Sequence, residues 1–319
     1  MPNSLIPTKQ VLNLLQKFGL LAVILLLVLI MSLVKPVFLT SGNIINVLRQ
    51  VSINGILAIG ITFVIMTGGI DLSIGSIVAV TAVIVGSLLE KGHGPLEAIS
   101  LGMAAALTFG LFNGLLIAVG GLPPFIATLS NMTIARGVAL VYANGRNYVI
   151  THEGFLEIGK GSTLGIPNPI WILLIVCVFA YVLLNFTIFG RHVYAFGGNR
   201  QAAKLAGVRT RLVEISAYVI TGLLAGLAAI ILASRTSAGQ PTAGTGYELD
   251  AIAAAAIGGT SMVGGSGTIG GTVMGFIIIG IMLNSLTLLN VSSFYQQIVK
   301  GVIIIVAVML DMQAKRRSS

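Results

Sequence analysis

The chain is written in apolar runs, each about the length that crosses a bilayer, parted by short polar or glycine-bearing breaks. A peptide group in hydrocarbon finds no water to bond, so each run must close its own hydrogen bonds as a helix. Apolar length, then turn signals, predict spans at 18–34, 44–66, 72–89, 96–118, 124–142, 170–189, 213–233, 250–267, 270–290 and 295–311. The expectation is an all-α membrane protein of about ten transmembrane helices. Gly68-Gly69 and Gly258-Gly259 interrupt the third and eighth runs.

The first run follows Lys9 and Lys17 and imitates a secretory leader, but it is longer than a leader core. Val34-Lys35-Pro36 is no small-residue cleavage site, so the run is read as an anchor. The longest polar stretch, 143–169, falls well short of the roughly 50 residues a soluble domain needs. The chain 1–319 therefore reads as one transmembrane domain, and a nucleotide fold must come from a partner.

Composition and charge sharpen this picture. With 8% charged residues against about 25% for soluble domains, the chain is excluded from water. Its 40 glycines read as close helix packing. The net charge of +9 lies in short loops, so it speaks for orientation and not for nucleic acid. Arg191, Arg200, Lys204, Arg209 and Arg211 form one cluster, Lys315, Arg316 and Arg317 another, and Lys9 and Lys17 a third. Even numbers of spans separate them, which places all three, and both termini, in the cytoplasm. The other side receives Glu90, Lys91 and His93, the segment 143–169 and the segment 235–249. Cys177 has no partner for an intramolecular disulfide and reads as a small buried hydrophobe.

The segment 190–212 is the most informative. Asn199 can cap a first turn, Ala202, Ala203, Leu205 and Ala206 favour helix, and Gly207 can end it. The result is a short helix with a flat, alanine-rich side fit to press into a partner's groove; the same charges also serve topology alone. The alanine face, Ala203 included, is the expected contact. This pattern resembles the coupling helix of permeases in ATP-binding-cassette importers. Residues 67–76 (TGGIDLSIGS) and 240–253 (QPTAGTGYELDAIA), running on into Gly258-Gly259-Thr260-Ser261, extend the likeness to the ribose and monosaccharide permease family over roughly 20–311. The pattern opens on Gln201 where many importers carry glutamate.

The resemblance implies a type II importer-like permease in the bacterial inner membrane. Two copies would form one path, with a cytoplasmic ATPase beneath and a periplasmic sugar-binding protein above. It places ATP and magnesium on the ATPase and no cofactor or metal on this chain. ATPase contact falls to Gly197, Gly198, Asn199, Gln201, Ala202, Ala203, Leu205 and Gly207, with ribose as cargo or another small sugar as the alternative.

Other residues carry open readings. Asp71, with Ser73 beside it, is a carboxylate near the end of an apolar span. It either contacts sugar or caps the third span at a glycine turn. Asn54 can bond a neighbouring helix or a hydroxylated substrate. Arg49, Arg136 and Lys300 are read as snorkelling anchors. Tyr247, Glu248 and Asp250 on the outer side are candidates for docking the binding protein, or a solvated loop. Residues 68–76 also loosely echo 258–266. No Gly-x-x-x-x-Gly-Lys-Ser/Thr loop exists, and no histidine follows His192 to activate Ser266, so catalytic residues are not expected. The rival reading is an ion-coupled secondary transporter. Such coupling uses several buried ionisable groups, whereas Asp71 stands nearly alone.

Overall fold

Apolar length becomes helix almost everywhere it was expected. The computed structural model describes the backbone of residues 8–318 and the side chains of 19–306, 308 and 309. The side chains of Lys9, Lys17, Lys315, Arg316 and Arg317, which carried part of the orientation reading, lie outside those described. The helices are α1 (Thr8–Val34), α2 (Ser41–Met66), α3 (Ile74–Glu90), α4 (Pro95–Ala118), α5 (Pro124–Ala143), α6 (Glu153–Lys160) and α7 (Asn168–Phe186). They continue with α8 (Ile188–Gly198), α9 (Arg200–Leu205), α10 (Thr210–Thr236), α11 (Tyr247–Ile257), α12 (Ile269–Leu288) and α13 (Ser293–Ser318). Thr40 caps α2 by accepting from Asn43 N, and Thr268 caps α12 by accepting from Gly271 N. Proline opens α4 and α5, where its missing N–H costs nothing.

Among the described residues, α2, α4, α5, α7, α10 and α12 are long and apolar enough to cross a membrane, and Gly19–Val34, α3 and Ser293–Val306 are shorter apolar helices. The expected span 250–267 is corrected. Helix α11 ends at Ile257, and turns fill the chain as far as α12, with Gly259, Gly264 and Gly265 at positive φ. At 1.5 Å per residue α11 reaches only about 16 Å, half of a hydrocarbon core of roughly 30 Å.

The core forms around α2 and α10. Residues 51–66 of α2 are all buried, and α10 packs on α4 with Gly222 against Gly110 and Ala106, a spacing only small residues permit. Helices α1 and α7 instead turn large apolar side chains outward, among them Leu25, Leu33, Ile175 and Phe179. Exposed apolar surface on this scale suits lipid and not water.

One end of the bundle gathers the connections near 35–40, 91–94, 144–167 and 289–292. There β1 (Tyr148–Val149) pairs with β4 (Ala238–Gly239), and β2 (Ser162–Thr163) pairs with β3 (Ile166–Pro167). The stretch 143–169, read from sequence only as polar, also holds α6, whose Phe155 is buried and whose Gly159 N donates to Ser234 Oγ at 2.7 Å. The opposite end gathers 67–73, 119–123, 187–209 and 258–268, tied by Gly265 N donating to Met66 O at 3.0 Å.

Helix α13 is tied to α11 by charge. Lys300 Nζ lies 2.8 Å from Asp250 Oδ1, with Asp250 buried. Lys300 is therefore no snorkelling anchor: a carboxylate within reach at low dielectric outcompetes the distant headgroups. Replacing Lys300 by Met leaves Asp250 buried and unpaired and should cost about 3 kcal/mol. Thermal unfolding of the detergent-solubilised protein should show the loss, and Asp250→Asn added to Lys300→Met should recover most of it.

Candidate functional site

The connection between α7 and α10 is built as a capped double turn. Thr187 Oγ1 accepts from Gly190 N to start α8, and Asn199 Oδ1 accepts from Ala202 N at 2.9 Å to start α9. Gly207, at φ 83°, lets the chain reverse toward α10. Arg200 Nη2 lies 2.7 Å from Glu214 Oε2, its guanidinium 5.1 Å from the Phe196 ring centroid, so the turn is braced on α10. Gln201, Ala202, Lys204 and Gly207 are exposed, and Leu205 is 90% exposed. Ala203, expected on the partner face, is 4% exposed and packs into its own chain. Two residues further along a helix the side chain has turned by about 200°, so burying Ala203 sends Leu205 outward. Beside it lies a cleft of about 830 Å³ bordered by Val119, Arg200, Lys204, Arg209 and Arg211. The surface is an apolar peg beside a basic recess.

Behind the turn, three glycine pairs meet. Gly197 and Gly198 press against Gly265, and Gly264 against Gly68 and Gly197. A Cβ on Gly197 would run into Met66 O and Gly265 N, whereas one on Gly198 would meet nothing within 4 Å. Tyr194 Oη donates to Gly267 O at 2.8 Å. The α8–α9 turn thus rests on the end of α2 and on the turns before α12. The two echoing stretches 68–76 and 258–266 touch, a contact sequence reasoning did not foresee; their paired glycines were its one signal.

Asp71 and Ser73 are both fully buried. Asp71 Oδ1 accepts from Ser73 N at 2.8 Å and from Ser73 Oγ at 2.7 Å, the side-chain-to-backbone turn that favours Asp ahead of a helix. Asn113 Nδ2 donates to Ser73 Oγ at 2.8 Å, and Asn131 Nδ2 to Asn113 Oδ1 at 2.9 Å. Thr128 Oγ1 donates to Ile70 O at 3.1 Å. Of the two readings of Asp71 the geometry has the form of the structural turn: its carboxylate closes on Ser73, the N-cap residue of α3, and Asn113 and Thr128 join the α2–α3 connection to α4 and α5, while no side chain caps α3 itself. Asn113 and Asn131 were missed, although amides inside apolar runs were the available signal. Asn54 lies on α2, 6% exposed, with no side-chain hydrogen bond among the described residues.

The remaining expectations fall at the other end. Arg136 is half-buried: Nη1 donates to Pro241 O at 2.8 Å and Ala243 O at 2.9 Å, and Nη2 to Gly75 O at 3.3 Å. Arg49 Nη2 donates to Lys160 O at 2.8 Å. Both guanidiniums therefore hold carbonyls of neighbouring segments, where planar multiple donors succeed, and are not headgroup anchors. Asp250 is withdrawn from any docking surface by Lys300, while Tyr247 and Glu248 are half-buried. The exposed polar groups there are others. Glu90 Oε1 lies 2.8 Å from Arg146 Nη1, and this hydrogen bond holds the Arg146 guanidinium above its ordinary range.

The apolar bundle is that of a membrane protein, and comparison with known proteins makes it a transport subunit. Residues 43–308 match the model of the family described as branched-chain amino acid transport system / permease component, and the chain belongs to that family. It is 49% identical to the ribose import permease protein RbsC of Bacillus subtilis (strain 168), over 93% of this chain and 92% of that one. Its identity to the Escherichia coli (strain K12) protein of the same name is 45%, over 91% and 92%. To the L-arabinose ABC transporter permease protein AraH of Azospirillum brasilense it is 40%, over 94% and 88%. No solved structure matches.

The glycine junction yields a paired expectation. Gly197→Ala must push α8 off Met66 and should lower both the thermal stability and the transport rate of the assembled protein. Gly198→Ala, with open space ahead of it, should leave transport unchanged and stability unchanged or slightly raised by alanine's better helix propensity. Equal behaviour of the two variants would show that the contact does not matter.

Proposed function

We propose that this permease is the membrane subunit of an ATP-driven, binding-protein-dependent importer of ribose in the bacterial inner membrane. The chain is a transport subunit and not an enzyme. The observation that carries the reading is the α8–Asn199–α9 turn, whose exposed Leu205 and basic cleft form a surface rigidly backed by Gly197 and Gly265. Two relatives named for ribose at 49% and 45% identity support the cargo, and the arabinose permease at 40% makes another pentose the second reading.

In this reading the chain crosses the membrane ten times, by α1, α2, α3, α4, α5, α7, α10, the 237–246 stretch with α11, α12 and α13. Both termini and the α8–α9 turn face the cytoplasm, in keeping with the lysine and arginine clusters. Two copies enclose the path. ATP and magnesium act on a separate ATPase, whose closure moves Leu205 and its turn. Because Gly197 has no side chain to yield, the push reaches Met66 and Gly265 directly and bears on the α2–α3 and α11–α12 connections together. A binding protein delivers sugar at the opposite end. Since Asp250 is internal and Tyr247 and Glu248 follow a segment that descends beside α3, docking there falls to the exposed residues around α6. A ligand shifts the inward–outward equilibrium only by its differential affinity for the two states. Most sugar selection therefore resides in the binding protein.

Leu205→Asp should leave the chain folded in the membrane while abolishing copurification of the ATPase and ATP-driven ribose uptake into proteoliposomes. Retention of both would remove α9 from the coupling surface. Ribose uptake on an ion gradient, by a chain that purifies without an ATPase, would replace the importer with a secondary transporter.

A further inference from the structure

The segment between β4 and α11 does not stay at the end of the bundle. Gly239 lies against Gly86 and Ala82, and Gly244 against Val78 and Gly75, so the chain descends beside α3 as irregular backbone. The stretch of α3 from Gly86 to Gly75 is roughly 16 Å long, which carries the segment about half-way through a hydrocarbon core. Non-helical backbone at such depth is tolerated only where protein buries it or where it lines water.

Both conditions are met along the segment. Its Pro241 and Ala243 carbonyls are held by Arg136. Flanking it are two cavities, one of about 260 Å³ bordered by Thr236, Gln240, Thr242 and Tyr247, and one of about 420 Å³. The larger is lined by the apolar Met132 and Leu140 together with Ser76, Thr133, Arg136, Gly137, Thr245 and Glu248, and Thr245 borders both. Thr133 and Gly137 are exposed, so this cleft opens sideways from α5. A guanidinium and a carboxylate on an open cleft at membrane depth are too costly to face lipid.

We infer that the Ser76–Thr133–Arg136–Thr245–Glu248 cleft is a sugar subsite of the translocation path, taking a neutral polyhydroxylated molecule of pentose size, with the 240–246 segment as its roof. Its lateral opening is covered by the second copy of the dimer. The chemistry fits such a cargo. Three of the five N–H groups of Arg136 are committed to carbonyls, which leaves two as donors. Glu248 accepts, its Oε1 already bonded to Gly246 N at 3.2 Å. Ser76 can give and accept, while Thr133 and Thr245, whose protons go to Leu129 O and Thr242 O, present acceptors to the sugar's hydroxyls. One positive and one negative group together favour neither an anion nor a cation.

This inference rests on the import reading for the identity of the sugar, but its test separates the two. In the assembled complex in proteoliposomes, on a Cys177→Ala background, Thr133→Cys and Thr245→Cys are treated with a membrane-impermeant methanethiosulfonate. Thiolate forms only where water reaches. Both should be labelled, and ribose-loaded binding protein should slow the labelling. Val138→Cys, on the other exposed face of α5, should stay unlabelled. Thr133→Trp, which fills the cleft, should abolish ribose uptake while ATP hydrolysis persists. The inference is overturned if Thr133→Cys is as inert as Val138→Cys while the unlabelled complex imports ribose, or if Thr133→Trp imports normally. Labelling without any ribose import by the parent complex would leave a water path and remove ribose as its cargo.

Discussion

Every peptide group placed in hydrocarbon must find its partner inside the protein. Three stretches of this chain give up helix within the bundle, 67–73, 237–246 and 258–268. Each is satisfied partly within itself or by a near neighbour and partly by groups brought from elsewhere in the sequence. For the first, Gly265 N takes Met66 O, Thr128 takes Ile70 O, and Ser73 N is taken by Asp71. The second is held by Arg136 and by pairing with β1. The third folds on itself through Ser261 N to Ser266 O and is pinned by Tyr194 at Gly267. The long helices supply the scaffold, but these irregular stretches are where helices can change their relation without exposing backbone to lipid.

The glycines make that arrangement possible in a specific way. Lipid offers no hydrophobic gain for bringing helices together, so close backbone approach and its dispersion contacts must supply it. At Gly197, Gly264 and Gly265 the approach is so close that backbones of three separate connections touch. A contact without side chains has no rotamers to absorb a displacement. A displacement of the α8–α9 turn would therefore pass to the end of α2 and the turns before α12 more faithfully than through a packed leucine. Capping by Asn199 and bracing by the Arg200–Glu214 pair keep that turn stiff enough to matter.

Much of this was legible in the sequence, for a physical reason. Hydrocarbon thickness fixes the length of a span, so the runs at 44–66, 96–118, 124–142 and 270–290 translate into α2, α4, α5 and α12 with small shifts at their ends. Cap chemistry at Asn199 was equally readable. Length says nothing, however, about which apolar stretch is discontinuous. Alanines 253–256 and the glycines after them are as apolar as a span, and α11 stops among them. The six residues of α9 were too few to reveal by periodicity which face is buried, and Ala203 was placed on the wrong one. Charges inside apolar runs were noticed at Arg136 and Lys300, but their partners lie far along the chain and no local rule joins them. Asn113 and Asn131 were passed over because an amide carries no charge to draw notice, although they carry the network around Asp71.

The most direct test of this account is the energy source for ribose uptake by the permease reconstituted with its ATPase and binding protein. Uptake that requires internal-side ATP and ribose-loaded binding protein, and is indifferent to collapse of proton and sodium gradients, is the result expected. Uptake that continues without ATP and stops when an ion gradient is dissipated would contradict it.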